Sequence, residues 1–491
     1  MPPPLLAPRA HPTPTGPRAD PRVWSRHPPY GKHQEDDIRR TAAWRWLPPL
    51  LAVLLGLWGL RRGGSMWRDE SVTWQVAHRP LGGIGELLGQ VDAVHGLYYL
   101  LMHAVFLVGG DGLWTLRLPS VAATALAAAG VAATARRLAG ERAALCAGAA
   151  YALLPPVQMY AQEGRSYALV AAAVVWATYL MLGERWTAYT VVLLLGCWLH
   201  EFAALALLAH AFRGRRSRGW RRSAAVVAAL LLPLAVVTAG QAGQQLGWLG
   251  RPSWQDWAAY AVVAGLALLL ARGAAERELV EVALPLALLP PGLLMAVSLV
   301  HPWYVDRYVL YALAGLALLA GARLSELRLP GPRRWGAWAA VGAVAVACGW
   351  WSAWLRTPES RKDDVLAVAA AVRERAAPGD AVLFLPARRR EWLLSSPDVY
   401  GGLDDLALDR TPAASHTLQG TELPPDRIWA RLADAPRVVA LLDPPDQPRD
   451  RTPAEAVKRQ TLASRFELCS LTPARGARIA VFARPGHCPP G

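Results

Sequence analysis

The stretch Met66-Trp67-Arg68-Asp69-Glu70-Ser71-Val72-Thr73-Trp74-Gln75 decides how this chain is read. The apolar run Leu47 to Leu60 comes just before it. Adjacent carboxylates Asp69 and Glu70 therefore emerge where a membrane segment meets water, with Trp67 and Trp74 as interface anchors. Acid pairs are common in exposed loops, so their meaning depends on where the other polar residues fall.

Composition sets the class. Hydrophobic residues make up 53% of the chain and charged ones only 18%, and the apolar residues come in blocks separated by short basic loops. Each block approaches the roughly 20 helical residues that cross a hydrocarbon core. Backbone groups in lipid must bond internally, so the blocks are expected as helices of an integral membrane protein. The net charge of +15 sits mostly at the ends of apolar blocks, which makes it a topology signal and excludes a nucleic-acid partner. Cys146, Cys197 and Cys348 lie inside apolar blocks, and only Cys469 and Cys488 could form a bridge in an outside domain.

Residues 1–46 are rich in Pro and Arg with no apolar period, and read as a disordered tail without a cleavable signal. Arg39, Arg40 and Arg45 place it in the cytoplasm and Asp69 outside. Val94 to Val108 carries His95, Tyr98, Tyr99 and His103; a crossing here would leave the basic loop Arg136 to Arg142 outside, so it reads as a helix at the outer interface. Leu118 to Ala135, Ala143 to Tyr160 and Tyr167 to Leu182 then run in, out and in. Trp186 to Phe212 is broken by His200-Glu201 and reads as two short helices whose turn lies at the floor of a wet depression. Ala224 to Gly240, Trp257 to Ala271, Leu279 to Val300, Val309 to Ala322 and Gly336 to Trp354 complete about eleven spans. The whole is a mainly α, polytopic bundle over residues 47–355. Residues 356–491 alternate helix and strand, with strands at Ala381 to Leu385, Val438 to Leu442 and Arg478 to Ala483, and read as a small extracytoplasmic α/β domain.

This parity gathers five clusters on one side: Asp69-Glu70, His95 with Tyr98 and Tyr99, Gln162-Glu163-Arg165, His200-Glu201, and His301 with Arg307 and Tyr308. Arg117 joins them at a span head. Ionisable residues at membrane depth persist when they face a cavity or pair with one another, so together they outline a polar cavity open to the outside. Blander roles compete: Arg117, Arg165 and Arg307 could be interface anchors, and His95 and His103 surface residues of an interfacial helix. No cluster has metal-site spacing, so no metal ligands are assigned and a divalent metal requirement stays open. Gly-rich phosphate loops and an exposed Gly-x-Ser-x-Gly are also absent.

The order of Arg68-Asp69-Glu70, Val94-His95-Gly96-Leu97-Tyr98-Tyr99, Arg117-Leu118-Pro119-Ser120, Gln162-Glu163-Gly164-Arg165-Ser166-Tyr167 and Arg307-Tyr308 resembles the GT-C glycosyltransferases. The likeness is to the group with protein O-mannosyltransferases and the lipid A aminoarabinose transferase, and it covers about residues 44–355. It implies transfer of a sugar, mannose-like or pentose, from a polyprenyl-phosphate donor in the plasma membrane to a glycan, lipid or protein hydroxyl. It places catalysis on Asp69 with Glu70 beside it. Partial burial is expected to raise the basicity of Asp69. Arg165, Arg307 and His301 would take the leaving phosphate, and Tyr98, Tyr99 and Trp303 could stack on sugar rings. The lysine some relatives set near that phosphate has no obvious counterpart. Two other classes remain open, a flippase for lipid-linked saccharide and a structural membrane protein whose outer domain binds a partner. Against the flippase, the spans show no internal repeat.

Overall fold

The computed structural model describes residues 32–246, 249–272, 274, 276–326 and 332–488. Two units are distinguished, Met1–Ala43 and Trp44–Gly491, and the second holds all contacts described below. Of the stretch expected as a tail, residues 1–31 lie outside the described residues, while the helix α1 (Lys32–Leu57) begins within it.

Every segment read as a crossing is helical. After α1 come α2 (Arg68–Ala77), α3 (Leu81–Leu88) and α4 (Gly96–Gly109), which fill the loop between the first two spans. The bundle continues with α5 (Leu113–Leu153), α6 (Pro155–Ala161), α7 (Tyr167–Leu182), α8 (Trp186–Leu199), α9 (Leu205–Gly214) and α10 (Arg218–Leu246). Its last members are α11 (Trp254–Arg272), α12 (Arg277–Val297), α13 (Leu313–Ser325) and α14 (Pro332–Leu355). Among the described residues six helices are long and apolar enough to cross a membrane, and four more are shorter apolar helices. Leu54, Val191, Leu195, Val236, Leu269 and Val346 stand exposed on the bundle surface, where lipid rather than water suits them. This is a multi-pass membrane protein.

Local sequence explains the breaks. The single helix α5 contains two of the expected spans, because Gly140 at φ +86°, a conformation costly for any side chain, turns the chain back between them. Arg137 donates to the Leu182 carbonyl at 2.6 Å, tying that turn to the end of α7. At His200-Glu201 the long apolar run does split: α8 ends at Leu199, a 3₁₀ turn spans Glu201–Ala204, and α9 follows.

The C-terminal domain carries a mixed five-stranded sheet. Its elements are α15 (Val365–Arg375), β1 (Ala381–Leu385), α16 (Pro397–Tyr400), β2 (Asp404–Asp405), β3 (Leu408–Arg410), β4 (Thr421–Glu422), α17 (Pro425–Asp434), β5 (Arg437–Leu442), α18 (Pro453–Arg465), β6 (Glu467–Ala474) and β7 (Ala477–Ala483). Strand order is β2-β1-β5-β7-β6, with β1 parallel to β2 and β5 and the β7 pairings antiparallel. The two-residue period of β1 sorts its faces. Leu383 and Leu385 share a core with Ile428 and Leu432 of α17 and Leu462 of α18, while Val382 and Phe384 belong to the core that contains Val368 of α15 and the bundle. Cys469 and Cys488 form a disulfide.

Two glycines let α13 pack closely on its neighbours. A Cβ on Gly315 would lie 2.3 Å from the Ala283 carbonyl oxygen of α12, and one on Gly321 2.4 Å from the Ala147 backbone of α5. Small residues of this kind let membrane helices approach closely. Gly315→Val is therefore expected to lower the thermal unfolding midpoint in detergent by forcing these backbones apart, at a cost of about 1–3 kcal/mol. Gly265→Ala, whose Cβ would meet nothing within 4 Å, should not lower it.

Candidate active site

The site is built around two neighbours on α2 that point different ways. Successive helical residues are about 100° apart, so Asp69 and Glu70 cannot share an environment. Asp69 faces a cavity of ≈ 180 Å³, and Glu70 is fully buried behind it. Arg62 reaches Glu70 at 2.6 Å, Arg117 binds it through Nε and Nη2 at 2.7 and 2.8 Å, and the Gly164 N–H donates at 2.9 Å. Burial works against ionisation of Glu70, but Arg117 and Arg62 overcome it and draw the carboxyl down to about 2.

The cavity gathers Asp69, His95, Arg165, His200, Glu201, Arg307 and Tyr308 from the expected set. Arg307 Nη2 contacts Asp69 Oδ2 at 3.3 Å, and its Nε donates to the Tyr167 hydroxyl at 3.0 Å. Its guanidinium lies over the rings of Trp67, Tyr167 and Tyr308 at 5.5–5.6 Å. Arg165 is 6% exposed and makes long, 3.4 Å contacts to the Asp69 carbonyl and the Thr73 hydroxyl, while its Nε has no hydrogen-bond partner among the described residues. A buried guanidinium left that open is a ready anion site. The His95 and His200 rings stand 5.5 Å apart, and neither Nδ1 has a partner among the described residues. His200 also packs on Tyr308 at 4.4 Å, and Glu201 accepts from Thr238 at 2.5 Å.

Other expected members lie elsewhere. Glu70 and Arg117 neutralise each other, and Arg117 spends its remaining donors on the Leu60 and Ser65 carbonyls at 2.6 Å. Gln162 donates to the Gly56 and Trp58 carbonyls, so it pins α1 rather than a ligand. Glu163 is buried against Arg361 at 2.9 Å. Tyr98 and Tyr99 are fully buried in the core instead of lining the cavity. His301 is exposed and stacks on Trp303. The expectation that burial makes Asp69 more basic also fails. Burial does push its pKa up, but Arg307, Arg165 and Arg68 outweigh that and hold the carboxyl below its ordinary value.

Several cavity residues escaped the sequence reading. Arg68 lines the cavity and pairs with Glu391 of the C-terminal domain at 3.1 Å, and Leu418 of that domain closes part of the wall. Asp92 sits at φ +62°, accepts from the Tyr99 hydroxyl, and faces the cavity as a second carboxylate. Burial above all pushes its pKa up. The Asp-x-x-His spacing to His95 was its only trace in the sequence. Lys362, early in the C-terminal domain, adds a smaller pull that helps lower the pKa of Asp69, although it does not line the cavity. Among the described residues no group of three or more His, Cys, Asp or Glu is arranged to hold a metal ion.

Fold and site together define a multi-pass membrane protein with a helical bundle, a charged cavity walled in part by its first interhelical loop, and a small α/β domain. No family model matches the sequence, nor does any curated protein. Among solved structures, ArnT from Cupriavidus metallidurans bound to undecaprenyl phosphate aligns with a TM-score of 0.61 at 14% identity, covering 92% of this chain and 100% of that one. The apo state of the same protein aligns with a TM-score of 0.57 at 13% identity, over 90% and 98%. This chain has the ArnT fold.

The pull on Glu70 carries a stability consequence. Its pKa falls from 4.5 to about 2 on folding, so its contribution is complete above about pH 4.5 and is lost as pH drops toward 2. Glu70→Gln should remove it at neutral pH and strand two buried guanidiniums, a loss of about 3 kcal/mol or more. Denaturation of the detergent-solubilised variant at pH 7 checks this; an unchanged midpoint would contradict the assigned role.

Proposed function

We propose that the protein is a membrane glycosyltransferase that moves a sugar from a polyprenyl-phosphate donor to an acceptor hydroxyl, with inversion at the anomeric carbon. One observation carries the reading: in a bundle with the ArnT fold, a carboxylate, the buried Arg165 and the half-buried Arg307 converge on one cavity. The solved ArnT complex holds undecaprenyl phosphate.

In this scheme the acceptor oxygen attacks C1 of the sugar as the C1–O bond to phosphate breaks, and the hydroxyl proton passes to Asp69. Arg165 and Arg307 take the charge that gathers on the departing phosphate. Asp69 is ion-paired to Arg307, which with Arg165 holds its carboxyl below the ordinary value. An incoming phosphate competes for the same guanidiniums, which loosens their hold and makes Asp69 a better base while donor is bound. His95, His200 and Tyr308 form the aromatic floor on which a sugar ring would rest, and Asp92 and Glu201 offer acceptors for its hydroxyls. The donor sugar is a mannose-like hexose or a pentose, and the acceptor a glycan, lipid or protein. Loop charge favours a cytoplasmic amino end, with cavity and C-terminal domain on the outer face of the plasma membrane.

Asp69→Asn is expected to cut turnover at least about a hundredfold, the lower range for loss of a general base. Purified protein given radiolabelled polyprenyl-phosphate mannose or polyprenyl-phosphate arabinose, with release of polyprenyl phosphate as the readout, tests this. Donor binding should survive the substitution. Parent-like turnover by Asp69→Asn would sink the assignment.

A further inference from the structure

A second cavity lies far from Asp69. α5 carries Arg117 beside the first site and Arg136 nineteen residues later, which at 1.5 Å per residue is about 28 Å away. That is about one hydrocarbon thickness, so the second cavity opens at the opposite face. Its volume is ≈ 390 Å³, and its walls include Trp44, Arg136, Arg137, Gly140, Glu141 and Tyr179.

Among the described residues the charges around it are unbalanced. The Arg136 guanidinium lies 4.9 Å from the Trp44 ring centroid and that of Arg45 lies 5.5 Å from it, so two cations share one indole. Glu141 is the carboxylate in the wall; it meets Arg136 at 3.5 Å, with both side chains well exposed, which is a weak pairing. The Trp44 Nε1–H is buried without a hydrogen-bond partner among the described residues. Basic residues that served only to orient the chain would extend freely into water. Here one is folded over an aromatic ring at the wall of a cavity, next to an unused buried donor.

We propose that this cavity binds the phosphate of an anionic membrane lipid. The Trp44 Nε1–H and the Arg136 guanidinium would donate to the phosphate oxygens, with Arg45 adding charge. Trp44 and Tyr179, aromatic residues of the kind that favour the membrane interface, would flank the lipid backbone. Arg137 is already committed to the Leu182 carbonyl and serves as scaffold. The Gly140 turn between the two halves of α5 forms part of the cavity wall.

Native mass spectrometry of the full-length protein, delipidated and titrated with phosphatidylglycerol or phosphatidylcholine, provides the test. Retention of phosphatidylglycerol over phosphatidylcholine is expected. Trp44→Phe, which keeps the ring and removes the donor, and Arg136→Gln should each lower its occupancy about fivefold, the effect of one arginine or strong donor at a membrane surface. Arg215→Gln removes an exposed charge from another basic loop and should change nothing. Equal retention of the two lipids, parent-like retention by both cavity variants, or an equal loss with Arg215→Gln would overturn the proposal. Inorganic phosphate separates the two sources of the same chemistry. Its failure to displace phosphatidylglycerol supports a lipid site, and displacement at matching concentration overturns it. Transfer activity plays no part in the readout, so the result stands apart from the reaction proposed for the first cavity.

Discussion

A single buried carboxylate joins the parts of the chain that make the site. Glu70 binds Arg62 at the end of the first span, Arg117 near the start of α5 and the Gly164 amide before α7. Removed from water, each of these charges would be costly alone, and the placement of one carboxylate between two guanidiniums offsets part of that cost. The Gln162–Arg165 loop is held at further points: Ser120 donates to the Glu163 carbonyl at 2.5 Å, and Thr73 to that of Gly164 at 2.9 Å. With Glu70 locked inward, helix geometry leaves Asp69 no direction but the cavity.

The C-terminal domain grips the same helix from the other side. Asp363 accepts the Arg68 N–H at 2.8 Å, Asp364 accepts the Met66 N–H at 3.2 Å, and the Val365 N–H donates to the Met66 carbonyl at 2.8 Å. The first amides of a helix lack partners within it, and here a domain nearly 300 residues downstream supplies one of them. Gln75 donates to the Glu391 carbonyl at 2.8 Å, so α2 is fixed along its length. The α/β domain is thereby part of the cavity's construction, consistent with Leu418 standing in its wall.

The sequence made the helices plain, because a span needs a long apolar block and the breaks at Gly140 and His200 are chemically marked. It could also say that polar residues were stored at membrane depth. What it could not separate was a cavity from a buried salt-bridge network, since both place Arg and Glu in apolar surroundings. The difference lies in whether the charges cancel, and that depends on partners at remote positions. Arg62 reads as a loop residue at a membrane exit, yet it completes Glu70; Arg361 reads as the start of another domain, yet it neutralises Glu163. Asp92 owes its place to a left-handed backbone and to Gln241 of α10, which accepts the Ala93 N–H, and neither leaves a periodic signal. His301, beside Arg307 in sequence, is carried out of the cavity because the chain turns between them.

The cavity and the network behind it hold their carboxylates differently. Glu70 is closed in by Arg62, Arg117 and the Gly164 amide, although Arg62 keeps its Nε and Nη1 without a hydrogen-bond partner among the described residues. Around Asp69 the matching is looser: among the described residues the Arg165 Nε and the Nδ1 atoms of His95 and His200 have no hydrogen-bond partner, and Arg307 shares its guanidinium with three rings, the Tyr167 hydroxyl and one carboxylate oxygen. In a low-dielectric pocket such open donors are unfavourable unless something fills them. An anion with several acceptor oxygens would satisfy Arg165 and Arg307 together, and in doing so would release Asp69 from the charge that makes it a weak base. On the proposed reading, the resting ion pair keeps the cavity charge-compensated while empty, and arrival of the donor phosphate both fills the site and readies the carboxylate.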